Sequence, residues 1–243
     1  MEEQRLLIVI PMAGAGRRFS EAGYSFSKPL VSIRNKPMIQ WVVENLAAPW
    51  ATHLFVVSPE DLRQYDILGM VKHLTPKWQV TMQEERKGAA HAVLLALEGQ
   101  DLRQPLLIAN CDQYLEWGAE QFYRVAFQPE VDGLIPVFSS THPKWSYVKL
   151  DEREQVKQVA EKEVISSWAT CGLYFWKTAQ QFKDCAEAMM KEEKNMVNGE
   201  WYVCPVYNTL LEKGGKVLPY TELTMYGLGT PEDLEEFKIA VTT

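Results

Sequence analysis

Between residues 12 and 28 the chain sets two glycines, Gly14 and Gly16, among three cations, Arg17, Arg18 and Lys28. Glycines bare backbone N–H groups, which can approach an oxyanion closely and form an anion-binding concavity. Arginine adds a planar fork that matches phosphate, and lysine adds a compact point charge. In a protein of formal net charge −7 this cluster points to a local site for a polyanion, most simply a phosphate chain. Two common phosphate loops do not fit. A Walker A loop needs GxxxxGK followed by Ser or Thr, which is absent. A dinucleotide fingerprint needs GxGxxG opening directly into a helix, whereas Gly16 is followed by Arg17, Arg18 and Phe19 and, on this reading, a long loop.

The elements that must carry this loop are visible in the hydrophobic pattern. Residues 5–11, 53–58, 78–83 and 105–110 are nearly continuous apolar runs, as expected of strands covered on both faces. Between them, 37–48, 59–74 and 88–99 carry apolar residues at helical spacing, which predicts parallel βαβ units. The loop 12–28 leaves the first strand, where open parallel sheets bind ligands. The second half changes character: 131–138, 146–152, 155–163 and 169–176 follow one another without long helices and predict antiparallel strands. Helices are expected at 178–192 and 205–213, then a strand "KVLPY", then a last helix opened by Thr230 and Pro231.

Composition bounds the function. An apolar content of 47% with 23% charged residues over 243 positions suits one α/β domain with a full core. The pI near 5.3 argues against nucleic acid or an anionic membrane as partner. The four cysteines (Cys111, Cys171, Cys185 and Cys204) have no regular spacing and read as core thiols in a reducing compartment, and with the four histidines scattered too they do not suggest a zinc site. No run approaches the length of a membrane span, and "MEEQRLLIVIP" is too short and acidic for a secretion signal. These features together suggest a cytoplasmic protein.

The string "GAGRRF…SKPL…KPMIQWVVENL" resembles the start of the nucleotide-sugar pyrophosphorylases, the nucleotidylyltransferases that activate sugar 1-phosphates. Arg18 matches the family's loop arginine, Lys28 its first lysine, and Lys36-Pro37 the pair that opens a helix. The resemblance continues in order through "QEERKGAAHAV", "LIANCDQYL", "VAEKEV", "ATCGLYFW" and "GLGTPEDLEEF". It implies a Rossmann-like α/β fold with a mixed, mostly parallel sheet flanked by helices, related to the GT-A fold, with antiparallel strands in the second half. One nucleotidyltransferase domain would span 1–243, with 1–112 the nucleotide-binding half and 113–243 the acceptor-binding half.

The resemblance also implies roles. Arg18 and Lys28 would be catalytic. Ala13, Gly14, Ala15, Gly16, Gln83 and Gly88 would bind the nucleotide, the last two reading its base. Tyr147, Glu161, Lys162 and Gly172 would bind the acceptor, and Asp112 would hold Mg²⁺. The partners would be a nucleoside triphosphate and a phosphorylated small molecule, with a homo-oligomer open because such enzymes often assemble.

Three positions depart from the family's pattern. Gly227 stands where a second metal carboxylate belongs, Val148 follows Tyr147 where the family has glycine, and Glu163 replaces the proline of Glu-Lys-Pro. Metal binding would then rest on Asp112, phosphates and water, with Glu200 a further candidate. Gly227→Asp would tighten it, and a positive φ at this glycine would suit the change. Trp117, Trp145, Tyr147, Trp168, Trp176 and Trp201 crowd the acceptor half. Aromatic faces stack on sugars but also hold quaternary ammonium groups, so a phosphocholine-type cytidylyltransferase is the nearest alternative. A glycosyltransferase of GT-A type would want Asp-x-Asp where this chain has Asp112-Gln113-Tyr114. A non-catalytic nucleotide-binding relative would explain Gly227 but not the retained Arg18 and Lys28.

Overall fold

Leu7–Pro11 offers a strand no polar position, and it forms β1 inside the sheet. The computed structural model describes residues 5–240; residues 1–4, read above as the acidic start, and 241–243 lie outside the described residues. After β1 come the short helix α1 (Arg17–Glu21), a single 3-10 turn (Lys28–Leu30), and a small hairpin of β2 (Ser32–Ile33) and β3 (Lys36–Pro37). The first half continues through α2 (Met38–Asn45), β4 (Thr52–Val57), α3 (Pro59–Gln64), α4 (Ile67–Leu74), β5 (Trp78–Met82), α5 (Ala89–Ala96) and β6 (Leu106–Ala109). The second half holds β7 (Gln113–Trp117), α6 (Ala119–Ala126), β8 (Gly133–Ser139), β9 (Ser146–Leu150), β10 (Val156–Glu161), β11 (Trp168–Thr170) and β12 (Leu173–Trp176). It closes with α7 (Ala179–Met189), α8 (Val206–Glu212), β13 (Val217–Tyr220), β14 (Leu223–Gly227) and α9 (Pro231–Ala240).

The main sheet runs β10-β9-β11-β8-β12-β6-β1-β4-β5, with β13 added beside β8. Its β6-β1-β4-β5 side is parallel, as the continuous apolar runs predict. From β12 onward the neighbours on that path are antiparallel, and β12 joins the two halves by pairing with β6. Alternate residues of β1 face opposite sides. Leu7 and Val9 enter one core cluster with residues of α5, α7 and α8, while Ile8 and Ile10 enter another with residues of α2, α4 and α6. A third cluster joins Phe19 of α1 and Val31 to Leu228, Leu234 and Phe237, which ties the glycine loop to the last helix.

Four local departures from the sequence reading have physical causes. The helical pattern of 59–74 breaks because Tyr65 is extended and the Asp66 side chain accepts from the Gly69 N–H, starting a new helix. The run 169–176 is two strands, because Gly172 adopts φ +84° between them. No long loop follows Gly16: it takes φ 57° as the N-cap of α1, which begins at Arg17. The pair β7 and β14 forms a separate antiparallel ribbon, with Gly227 opposite Gln113. Among the described residues no helix is long and apolar enough to cross a membrane, and the four cysteines are buried and free.

His53 in β4 gives the fold a pH dependence. The ring is 1% exposed and contacts Thr75 Oγ1 through Nδ1 at 3.1 Å. Burial holds its pKa down at about 4, against a weak opposing effect of the Ala51 carbonyl. The unfolded chain therefore takes up a proton near pH 6.5 that the native chain refuses, so stability is full above that pH and falls toward pH 4. Urea unfolding should show roughly 1 kcal/mol lost to this residue between pH 7.5 and 5.5, and His53→Gln should flatten that part of the slope.

Candidate active site

Beyond the carboxyl ends of β1 and β6 lie two adjoining clefts. One, of about 250 Å³, is lined by Ala13, Gly14, Ala15, Lys28, Gln83 and Gly88. The other, of about 230 Å³, is lined by Arg18, Ser146, Glu161, Lys162, Gly172 and Tyr174. Ala89, Asn110, Asp112 and Tyr202 line both clefts and mark where they meet. Of the sequence-predicted residues, two lie outside both: Gly16 and Tyr147.

Gly16 acts from beneath the loop. A Cβ there would sit 3.3 Å from Lys28 Cβ, so the glycine lets the lysine backbone close against the loop. Gly14 has nothing within 4 Å of its Cβ position and leaves the backbone open. Lys28 begins the 3-10 turn, and its Nζ donates to Asp112 Oδ2 at 2.7 Å, both side chains being partly buried. Burial alone would weaken the ammonium, but the neighbouring Asp112 carboxylate outweighs it and holds the lysine above its ordinary pKa. Lys28 is therefore a fixed positive charge at the junction of the clefts. The thiol of Cys111, beside this pair, is pushed up to about 11 by burial and stays neutral.

In the first cleft Gln83 is buried, and its Nε2 donates to the Gly88 carbonyl at 3.3 Å and lies 3.3 Å from His91 Nδ1. Gly88 sits at φ 99°, ψ 172°, a region open essentially to glycine alone. Its Cβ position lies 2.5 Å from both the N and the O of Trp201, whose backbone is pinned by Lys87 O and Ala90 N. Gly88→Ala should therefore cost roughly 2–4 kcal/mol of folding stability, measurable by urea unfolding.

In the second cleft Ser146 Oγ donates to Glu161 Oε2. Burial raises the Glu161 pKa, opposed by that hydrogen bond and by Lys162. Lys162 takes φ 55°, its Nζ lies 4.3 Å from the centre of the Tyr202 ring, and it donates to the Tyr202 hydroxyl. Gly172 is required by its neighbour: a Cβ would meet Asn110 Nδ2 at 2.5 Å.

Tyr147 is not on the cleft wall. It is fully buried, and its hydroxyl donates to the His142 carbonyl at 2.7 Å, so its place is in the core. The tryptophans are also mostly packing residues: Trp176 is fully buried and stacks on Tyr207 at 4.2 Å, and Trp201 is buried. Of the six aromatics singled out in the sequence, Trp145 alone lines either cleft.

Position 227 corrects the expectation drawn from the sequence. Gly227 does not hold a positive φ, and its Cβ position lies 3.4 Å from Asp233 Oδ2 and 3.2 Å from the Trp145 ring. A carboxylate is thus already beside it, supplied by α9, and Gly227→Asp would crowd a second one against it. Asp233 Oδ1 accepts from Lys144 Nζ at 2.8 Å, and Lys144 Nζ stands 4.6 Å from the Trp145 ring centre. Glu200 lies in the wall of the first cleft.

The donors facing the junction fit a hard divalent cation. Asp112 Oδ2 lies 3.0 Å, and Asp233 Oδ2 3.9 Å, from one point, the position of a Cβ on Gly229. All the donors are oxygens, as Mg²⁺ prefers. Among the described residues no group of three or more His, Cys, Asp or Glu could hold a metal, so carboxylates alone do not complete a site. Sequence reasoning missed Lys144, Asp233, Asn110 and Tyr202. Thr230 and Asp233 have capping-box spacing, and Thr230 Oγ1 does accept from the Asp233 N–H, so Asp233 reads as a helix-start residue.

Residues 8–236 match the family model described as Nucleotidyl transferase. The chain is similar to the bifunctional protein GlmU of Thermodesulfovibrio yellowstonii, 25% identical over 240 residues, covering 93% of this chain and 50% of that protein. It is 27% identical over 178 residues to the mannose-1-phosphate guanyltransferase beta-A of Xenopus laevis, covering 70% and 49%. The chain spans about half the length of these two relatives. Among solved structures, a nucleoside-diphosphate-sugar pyrophosphorylase from Vibrio cholerae RC9 superposes with a TM-score of 0.81 at 24% identity, covering 96% of this chain and 99% of that one. A UDP-glucose pyrophosphorylase complexed with UDP-glucose gives 0.79 at 18% identity, covering 97% and 98%. These two likenesses show the fold.

Proposed function

The chain belongs to the nucleotidyl transferase family, and from this premise we propose that it couples a nucleoside triphosphate to a sugar 1-phosphate, giving a nucleotide sugar and pyrophosphate. The observation that carries the proposal is the pair of clefts meeting at Asp112, with Lys28 and the glycine loop on one side and Arg18, Glu161 and Lys162 on the other. The relatives' names fit it, since they speak of mannose 1-phosphate, UDP-glucose and nucleoside-diphosphate sugars.

In the proposed reaction an acceptor phosphate oxygen attacks the α-phosphorus, and pyrophosphate leaves. The nucleophile is already an anion, so no general base is needed. The protein must align two polyanions that repel each other, and positioning and charge neutralisation carry the catalysis. The loop N–H groups from Ala13 to Ala15 cradle the triphosphate. Arg18, exposed at the start of α1 and lining the acceptor cleft, reaches across the junction to the departing pyrophosphate. Lys28 turns from Asp112 to the α-phosphate as charge moves there. Lys162 holds the acceptor phosphate, and Glu161 with Gly172 faces the sugar. When bound at Asp112, Mg²⁺ would supply further neutralisation of the phosphate oxygens.

The acceptor cleft favours a sugar over phosphocholine. Its Trp145 and Tyr202 rings already face the ammonium groups of Lys144 and Lys162, so a quaternary ammonium would meet two like charges there. Pyrophosphate release measured with each of four nucleoside triphosphates against sugar 1-phosphates and phosphocholine tests this. Turnover with a sugar 1-phosphate is expected; turnover with phosphocholine alone would sink the reading.

A further inference from the structure

We propose that Asp233 replaces the carboxylate missing at position 227 and that, with Asp112 and the side-chain oxygen of Gln113, it forms a divalent-cation site. Two substrate-facing lysines guard this site. The inference rests on the active site proposed above. Asp112 comes from the turn between β6 and β7 and Asp233 from the first turn of α9, more than a hundred residues apart in the chain. The third core cluster fixes α9 against the glycine loop, so the approach of the two carboxylates is built into the packing.

The two carboxylates converge on space that glycine keeps open. A Cβ at Gly229 would lie 3.0 Å from Asp112 Oδ2 and 3.9 Å from Asp233 Oδ2, and one at Gly227 would lie 3.4 Å from Asp233 Oδ2. Any side chain at 229 would fill the place where a shared cation belongs. Gln113 gives an independent sign. It is 3% exposed, it lines the same cleft, and its Oε1 has no hydrogen-bond partner among the described residues. A buried amide oxygen without a partner is costly. A cation at the junction would give it one. Two carboxylates and an amide oxygen are a hard donor set that suits Mg²⁺ or Mn²⁺ and leaves positions for water and phosphate.

Each carboxylate is at present held by one ammonium: Asp112 by Lys28 at 2.7 Å and Asp233 by Lys144 at 2.8 Å. Lys28 lines the nucleotide cleft and Lys144 the acceptor cleft. Phosphates arriving in the two clefts attract the two lysines and leave both carboxylates to the metal. The site is therefore tightest when both substrates are in place, and Lys144 does for the acceptor what Lys28 does for the nucleotide.

Titrating Mn²⁺ alone into the full chain, with free Mn²⁺ followed by electron paramagnetic resonance, tests the site apart from turnover. One ion per chain is expected. Affinity should fall at least about 10-fold in Asp233→Asn and in Asp112→Asn, and rise in Lys144→Met, where the competing ammonium is gone. Thermal melting checks each fold. Mn²⁺ affinity unchanged in a well-folded Asp233→Asn protein, or a wild-type chain that takes up no Mn²⁺ at millimolar concentration, overturns the proposal. If Asp233→Asn melts early, Lys144→Met decides, and unchanged affinity there refutes the guard role and the site with it. Pyrophosphate release by the wild type is assayed separately: its absence with Mn²⁺ binding intact refutes the reaction and leaves the site standing.

Discussion

Lys28→Ala is expected to lower the rate of pyrophosphate release by roughly 10²- to 10³-fold, the scale of losing one transition-state electrostatic donor. The residue sits where the two clefts adjoin, and its Nζ is held by Asp112 at 2.7 Å. Its ammonium stays charged throughout the working pH range, because the Asp112 carboxylate outweighs the effect of burial. It is thus a permanent positive charge at the junction, available to the α-phosphorus once the nucleotide has drawn it from Asp112. The loop should still form without it, since Phe19 and Val31 are packed into the third core cluster on their own account. Arg18→Ala should also lower turnover, by up to roughly 10²-fold. Arg18 is exposed and has more freedom to be replaced by its neighbour Arg17. Single-turnover rates at saturating substrate separate these losses from weakened binding, and near-normal rates in both variants would contradict the roles assigned to the loop.

Asp112→Asn should cost turnover several kcal/mol of transition-state stabilisation, on the order of 10²- to 10³-fold or more. Nucleotide binding should move the other way or stay level. In the wild type a nucleotide must draw Lys28 away from Asp112, and the Asn side chain removes that competing ion pair while keeping the shape. The expected signature is a low kcat with an unchanged or lower nucleotide Kd. Loss of nucleotide binding in a folded Asp112→Asn protein would mean that Asp112 acts by another route.

Much of this arrangement is legible in the residues themselves. Strands β1 and β6 announce themselves because a strand covered on both faces has no polar position to blur it, whereas β5, at the sheet edge, carries Gln79 and Thr81 and is only partly covered. The glycine loop is legible because cations beside bared backbone have few other uses. Other features lie in tertiary contacts. The break at Tyr65–Asp66 is hidden because the apolar spacing continues across it, and only the Asp66 cap reveals the new start. β7 and β14 escape because their residues are mixed in polarity and their partner strand is more than a hundred positions away. Tyr147 looks like a cleft residue by its place in a motif, yet the His142 carbonyl draws its hydroxyl into the core. Asp233 is the reverse case. Its spacing from Thr230 accounts for it fully as a helix-start residue, and only the chain's closure brings it beside Gly227, Lys144 and Asp112.

The most direct test of the central claim follows the phosphates. The protein is incubated with a sugar 1-phosphate and Mg²⁺, using nucleoside triphosphate labelled in the α-phosphate in one reaction and in the γ-phosphate in a parallel one. Attack at the α-phosphorus predicts that the α label appears in a nucleotide sugar and the γ label in pyrophosphate, in equal amounts. A γ label recovered in orthophosphate or on the sugar, with the α label left in nucleoside diphosphate, would contradict the account.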